Sequence, residues 1–540
     1  MRSVSPRSWV AFILLGAVVP AASAEAPWNV RMNAPQLSRP HGLLGRLGVA
    51  ITGDEEGQNL VAAWETFSGS CGPAWKTPCP PPATPGLTGI GYSTDGGRTW
   101  VDIGSPLPVD GAFTSGHAWL DRGGADRATY FLVSRARSVA TNQLIGTLVY
   151  RGRFDHGAFT WLGGHLFVPD QPGDQQRSQS ILAAKDGSGL VFVAISNLRG
   201  LCGYPGHGAG QIEVVRSPDS GVTWEKRIVV GVDDTTVTAD PKDPTCGSRG
   251  TLQVIPSMAM GPQGEVYVSW SHGPVFTNYT PSLGATPGIY DLTCTLTQRV
   301  ARSLDGGKTF GPPRDVAEAN SMRQNPPVGY YRDEVNDFPR IAVAQDGPHR
   351  GRIYVSYTSA VTEVTAPVDV QVLTSSQIFL VYSDDRGESW SRPVPLAPPV
   401  PPTGVKRLWP SVAVEPGGRV DVVYSESQER PAGEDCRMVL MSGRFRAGKA
   451  SSLVDLYRVQ SQDGGAHFGP PVRLTTETTN WCATQFDPLN FLFSNFGDYL
   501  GVFAVRNRTF AVWTDGRSGV PEAYFGEVAS PGAGAAPKGR

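Results

Sequence analysis

The chain has 540 residues, with 64 Gly, 46 Pro, 9% aromatic and only 18% charged residues. Glycine and proline at this level argue against a helical bundle, and the aromatic content argues against a disordered chain. Lys+Arg is 47 against 49 Asp+Glu, so no basic excess exists to displace counterions from a nucleic-acid backbone. Length alone suggests about three domains, a rule that all-β folds often break.

In chain order, Arg2 and Arg7 precede a short apolar run, Val10 to Val19, then Pro20 and the small residues Ala22-Ser23-Ala24. This pattern reads as a secretory signal peptide over 1–24. The apolar run is shorter than the roughly 20 residues needed to span a bilayer. No later stretch is long enough, so the expectation is a secreted protein, extracellular or periplasmic, with no membrane span. Residues 25–528 are expected to form a single domain. The Gly/Pro/Ala-rich segment 529–540 is expected to be a disordered tail.

One pattern recurs along the chain, Ser-x-Asp-x-Gly-x-Thr/Ser-Trp/Phe. It reads STDGGRTW from Ser93, SPDSGVTW from Ser217, SLDGGKTF from Ser303, SDDRGESW from Ser383 and SQDGGAHF from Ser461. A degenerate copy, RFDHGAFTW, starts at Arg153. The physics is that of a β-hairpin turn. Glycine supplies a positive φ, and the Asp carboxylate accepts N–H groups of its own turn. We read Asp95, Asp155, Asp219, Asp305, Asp385 and Asp463 as structural turn residues. Alternating segments precede each motif, such as Pro256–Trp270, Pro339–Tyr357 and Pro410–Tyr424, each two strands joined by a tight turn. Each unit is then four antiparallel strands, and radial repetition of such units makes an all-β propeller.

Six motifs close six blades. Gly501–Val505, Arg508–Trp513 and Ala523–Val528 add three strands without a motif. Trp28–Asn33 supplies the fourth, so the N- and C-terminal strands close a seventh blade. Six blades with an extra C-terminal subdomain is the alternative count.

The long segments, such as Asn197–Gly210, Ser271–Leu296, Ala317–Asp337 and Thr476–Asn495, fall on one face, where propellers build binding sites. All seven cysteines lie in such segments. The expected disulfides are Cys71–Cys79, Cys202–Cys246 and Cys436–Cys482, the last two at nearly equal spacing. Cys294 is left over, and Cys246–Cys294 remains an alternative. No CxxC pair or HExxH sequence points to a metal, and no cofactor is expected.

The repeats resemble the Asp-box (BNR) repeats of the sialidase superfamily. That resemblance implies an arginine-bound substrate carboxylate and a Tyr nucleophile with carboxylate partners. The family's Arg-Ile-Pro motif is absent: Arg39-Pro40 stands near its place, and Arg177 and Arg340 lie at comparable strand starts. Carboxyl and phenol candidates on the long-loop face are Glu334, Asp337, Asp487, Asp498 and Tyr499. Tyr330, Tyr331, Trp409 and Trp481 are candidates for stacking on sugar, with Arg177 and Arg340 as further substrate-binding candidates. The resulting expectation is a monomeric, sialidase-like propeller acting as a glycoside hydrolase on an extracellular glycan or glycoprotein. A non-catalytic glycan- or protein-binding propeller is the alternative.

Overall fold

The computed structural model describes residues 28–34, 46–69, 85–170, 174–198, 210–231, 238–240, 243–249, 251–274, 295–320, 322, 327–330, 338–361, 374–430, 451–484, 496–497 and 499–529. The signal-peptide expectation lies outside these residues. So does the expected tail, except Ala529, which ends the strand Glu522–Ala529.

The described chain is all-β. Its one helical element is a 3-10 turn at Trp481–Ala483. Five sheets stand apart as antiparallel blades. The first runs Arg46–Gly53, Leu60–Gly69, Gly86–Ser93, Val101–Gly104. In the second, Ala112–Thr114 and Trp119–Gly123 share the inner position beside Thr129–Ser138, followed by Leu144–Asp155 and Ala158–Phe167. The third is Gln175–Ala183, Val191–Leu198, Gly210–Ser217, Ile228–Gly231. The fourth is Thr251–Met260, Val266–Pro274, Thr295–Ser303, Arg314–Asn320.

The fifth blade joins the chain ends. Gly501–Val505, Arg508–Asp515 and Glu522–Ala529 are completed by Trp28–Arg31, with Trp28 opposite Glu527 and Arg31 opposite Tyr524. This pairing covers an edge that would otherwise expose unpaired backbone groups.

Apart from a two-stranded ribbon of Thr238–Asp240 and Asp243–Arg249, the remaining strands form one nine-stranded sheet rather than two separate blades. Arg340–Val343, Ile353–Ala360, Ser376–Ser383 and Val394–Pro395 make one antiparallel half. Val405–Val414, Val420–Arg430, Ser451–Ser461 and Val472–Arg473 make the other, with the short strand Thr479–Asn480 also paired to Ser451–Ser461. A single parallel pair, Ser376 with Lys406, links the halves. Counted by sheet pairing, the described residues therefore form five separate blades and one fused sheet. The expected seven separate blades are not what the pairing gives.

The innermost strands touch in sequence: Arg46–Gly53 on Trp119–Gly123, then Gln175–Ala183, Thr251–Met260, Arg340–Val343, Val405–Val414, Gly501–Val505 and back to Arg46–Gly53. Apolar clusters fill the wedges between sheets. Trp64, Phe510 and Phe525 occupy one, and Phe192, Val268 and Trp270 another. Sheets that alternate apolar and polar residues bury one face against each neighbour in this way.

The five full motifs share one hydrogen-bond pattern. In the third, Ser303 Oγ donates to Asp305 Oδ1 at 2.7 Å, and the Thr309 N–H donates to the same oxygen at 2.9 Å. Thr309 Oγ1 donates to Oδ2 at 2.7 Å, and the Gly307 N–H donates back to Ser303 Oγ at 2.8 Å. The same set recurs about Asp95 and Asp219, about Asp385 with Ser389 in place of threonine, and about Asp463 with His467 in that place. Asp155 differs. A two-residue turn, His156-Gly157, connects Asp155 directly to Ala158, and both central residues have positive φ (48° and 80°). That is the geometry of a tight type I′ hairpin, and its exposed Asp155 side chain makes none of the motif's hydrogen bonds among the described residues. The degenerate copy is thus a hairpin of another kind.

Candidate functional site

The inner strands bulge near their starts, on the long-loop side. Ladder register slips between Leu47 and Ala50, Gln176 and Ser178, Val254 and Ser257, and Leu408 and Ser411. Residues at these points take left-handed backbone: Gly48 (49°), Ile255 (47°) and Trp409 (55°), and His117 (51°) does so just before the second blade's inner strand. Such a conformation is costly for a β-branched or bulky residue. Bulges of this kind re-aim side chains at sites near strand ends.

Gly48 illustrates the packing reason for glycine. A Cβ there would come within 2.9 Å of the Tyr499 ring and hydroxyl. Gly116 is similar: a Cβ would meet the Glu65 carboxyl carbon at 2.4 Å. Backbone thus lies directly on a phenol and on a carboxylate at the mouth of the channel.

Arg340 sits at the centre of this region. Its guanidinium carbon is 3.7 Å from the Trp119 ring centre, 5.0 Å from Phe338 and 5.8 Å from Tyr499. Only 7% of the residue is exposed, and Nη2 is buried without a hydrogen-bond partner among the described residues. Burial pushes its pKa down from the ordinary arginine value, opposed by the nearby Tyr499. Trp119 also lies against Tyr499, with ring centres 4.6 Å apart, and His117 meets Tyr499 edge-on at 6.4 Å. Gln179 Nε2 donates to the His117 carbonyl at 2.5 Å. Gln179 Oε1 and both amide atoms of Gln176 are buried without hydrogen-bond partners among the described residues. Glu65 stands 3.7 Å from Arg135 Nη2.

Of the residues singled out in the sequence, Arg340 and Tyr499 meet here. Tyr330, Trp409 and Trp481 do not. They pack together with Phe496 inside the protein: Trp481 stacks on Phe496 at 4.4 Å, and Tyr330 lies 5.7 Å from Trp409 and 6.0 Å from Trp481. All four are buried, so none has an open face for a sugar ring. Beside them Lys406 Nζ and Glu429 Oε2 form a fully buried ion pair at 3.0 Å. The Val328 N–H donates to the other Glu429 oxygen at 2.8 Å.

The backbone of Arg177 lies at the third sheet's bulge. Its side chain is outside the description, as are Tyr331, Glu334, Asp337, Asp487 and Asp498. Cys482 is disulfide-bonded; the side chains of the other six cysteines fall outside the described residues. Among the described residues, no group of three or more His, Cys, Asp or Glu side chains could hold a metal ion, and no helix is long and apolar enough to cross a membrane.

Trp119, His117, Glu65, Gln179 and Phe338 escaped the reading of the sequence. Each lies at a strand start or bulge, where period-two alternation breaks. The only local signal was Gly48 and Gly116 beside strand starts.

The family description BNR/Asp-box repeat matches residues 381–392, the turn around Asp385. No curated protein sequence matches the chain. Among solved structures, the chain is similar to the GH93 α-L-arabinofuranosidase of Fusarium graminearum, at 13% identity and TM-score 0.41, over 74% of this chain and 92% of that one. It is also similar to the endosialidase of phage phi92, at 9% identity and TM-score 0.42, over 95% and 70%. The third is the Trypanosoma rangeli sialidase bound to 2,3-difluorosialic acid, at 12% identity and TM-score 0.36, over 76% and 54%. With five hydrogen-bonded Asp-box turns on repeated antiparallel sheets, one of them matched by the repeat family, the chain carries BNR/Asp-box repeats on an all-β, propeller-type arrangement of sheets.

Proposed function

We propose that this is an exported, monomeric glycoside hydrolase that acts on extracellular glycans at the long-loop mouth of its central channel. The observation that carries the reading is Arg340: a buried cation, ringed by Trp119, Phe338 and Tyr499, with one guanidinium nitrogen unpartnered among the described residues. A buried unpaired donor is costly unless a ligand completes it. The Gln176 amide and Gln179 Oε1, unpartnered among the described residues, suit hydroxyl groups, and Trp119, which is only partly buried, suits the apolar face of a sugar. Carboxyl groups would come from Glu65 and from Glu334, Asp337, Asp487 and Asp498, and Arg177 and Tyr331 remain substrate-binding candidates. The experiment is a glycan-binding screen beside a panel of fluorogenic glycosides, on the purified protein and on R340M. Turnover that falls with R340M supports the reading. No turnover on any glycoside, with glycan binding lost in R340M, favours the second reading, a binding propeller. That reading draws on Tyr499, which is only 3% exposed and packed under Gly48, a poor setting for an attacking phenol.

Seven inner strands that touch in a closed sequence support seven blades, with the nine-stranded sheet as two blades fused at Ser376 and Lys406. The bonded Cys482 supports the Cys436–Cys482 disulfide, and Cys71–Cys79 and Cys202–Cys246 complete the set.

A further inference from the structure

We propose a second ligand site, an oxyanion groove on the Asp-box side between the fourth sheet and the Asp385 turn. It stands apart from the channel and does not rest on the function proposed above. The starting observation is a residue out of pattern. The position after each motif aspartate has positive φ: Gly96 (73°), Ser220 (60°), Gly306 (71°), Arg386 (59°) and Gly464 (71°). Glycine accepts this conformation freely, whereas another L-residue loses about 1–2 kcal/mol. Ser220 has a local reason, since its Oγ accepts the Ala125 N–H at 2.9 Å. Arg386 holds the strained position and presents its side chain to a groove of about 360 Å³, counted to its open mouth.

Two more arginines line that groove, Arg302 and Arg314, against walls of Gly311 and Pro312. They come from separate strands, Thr295–Ser303 and Arg314–Asn320. Glu388 bridges these two, pairing with Arg302 through one oxygen and with Arg314 through the other at 2.5 Å. Arg386 Nε lies 3.3 Å from Glu265, and its Nη2 donates to Gln263 Oε1 at 2.6 Å. Arg302 Nη1 donates to the Arg386 carbonyl at 2.7 Å, which ties the turn to the sheet. Three cations therefore face two carboxylates. Arg314 Nε and Nη1 and Arg386 Nη1 make no hydrogen bond among the described residues. Arg314 and Arg386 are about half exposed, so a solute can reach them.

One guanidinium fork suffices for a planar carboxylate, whereas Glu388 draws a single nitrogen from each of two arginines. Guanidinium groups converging from three elements suit a tetrahedral group with oxygens on several sides, a sulfate or phosphate. Such a ligand would displace Glu388 toward solvent, which its exposure permits.

The test is calorimetric titration of the full chain, at low ionic strength, with inorganic sulfate, inorganic phosphate and a monosaccharide sulfate ester. Saturable binding is expected for at least one, weakened about tenfold or more in R386G and R314A and strengthened in E388Q. R386G restores the residue three of the other turns carry, so its melting temperature should match or exceed the parent's. Tighter binding of the ester than of the free ions assigns the groove to a sulfated ligand, and equal binding assigns it to the free ion. Absence of saturation up to tens of millimolar, or an affinity unchanged in both R386G and R314A, overturns the site.

Discussion

Arg340 places its guanidinium 3.7 Å from the centre of the Trp119 ring, although their strands belong to sheets that are not neighbours around the channel. The contact therefore crosses the channel mouth and gives it a floor. A desolvated cation over an indole gains about 2 kcal/mol. That gain works against the cost of burying a charge with no carboxylate beside it among the described residues. R340M keeps the length of the stem and removes the charge. We expect its thermal stability to equal or exceed the parent's, while ligand affinity or turnover falls at least about tenfold. Calorimetric melting and a binding titration read the two separately. A large loss of stability would mean that Arg340 serves the fold instead.

The Asp-box turns are the clearest case for stability. Asp305 accepts from Ser303 Oγ, the Lys308 and Thr309 N–H groups and Thr309 Oγ1. Removing one side chain strands several donors, so D305A should lower the unfolding free energy by about 1–3 kcal/mol. D155A, at a hairpin without these bonds, should change it by no more than about 0.5 kcal/mol. Equal effects in chemical denaturation would refute the distinction.

These turns also set an acid limit. Hydrogen bonds from Ser389, first its hydroxyl and then its N–H, hold Asp385 down to about 2, and the corresponding bonds from Thr309 hold Asp305 lower still. The folded-state pKa is depressed below the ordinary value of 3.8. The stabilisation is therefore complete above about pH 4 and is lost as pH falls toward 2. Melting curves between pH 5 and 2 should show a steeper fall for the parent than for D385N. Exposure of these carboxylates keeps the effect of each small.

How much of this could be read from the chain alone follows from range. The Asp-box is a turn of eight residues whose donors and acceptors lie within four positions of each other, so its pattern survives in the sequence. The pairing of Trp28–Arg31 with Glu522–Ala529 was legible for a related reason: three strands without a fourth demand one. The site was less legible. Tyr330, Trp409 and Trp481 are aromatic residues in or beside long loops, and whether such a ring faces solvent or a neighbouring wedge depends on sheets far away in sequence. Trp119 and His117 sit at a break in alternation, where no periodicity marks them. Arg386 went unremarked because the motif tolerates several residues at that position, and its strain shows only in φ.

The buried pair Lys406–Glu429 permits a sharper test of packing near the aromatic cluster. Both side chains are fully buried, and Glu429 also holds the Val328 backbone. K406M leaves Glu429 charged without its partner and should cost about 3–5 kcal/mol. The double variant K406M/E429L should recover part of that loss, because the uncompensated charge is gone, while the Val328 N–H stays unpaired. Equilibrium denaturation of the two singles and the double forms the cycle. A double no more stable than K406M would show that the Val328 contact, not the ion pair, dominates.

Glu415 predicts the opposite pH behaviour from the Asp-box. It lies at the turn between Val405–Val414 and Val420–Arg430 and pairs with Arg419. Its Oε2 also accepts the Asn507 N–H at 2.8 Å from the adjoining chain-end blade. Burial pushes its pKa up to about 7, helped by the neighbouring Asp421 and opposed by Arg419. Here the folded-state value exceeds the ordinary 4.5, so the folded protein binds the proton first. The contribution of this group to stability then rises as pH falls from about 7 to 4.5, and is flat below. E415Q cannot titrate. The stability difference between parent and E415Q, measured by denaturation at pH 8, 6 and 5, should move in the parent's favour toward acid. A difference that stays constant would mean that Arg419 and Asn507 hold Glu415 ionised throughout. The Asn507 contact makes the result a reading of how the chain-end blade is fastened to its neighbour: loss of that hydrogen bond should appear first as faster amide exchange in the Val505–Arg508 turn.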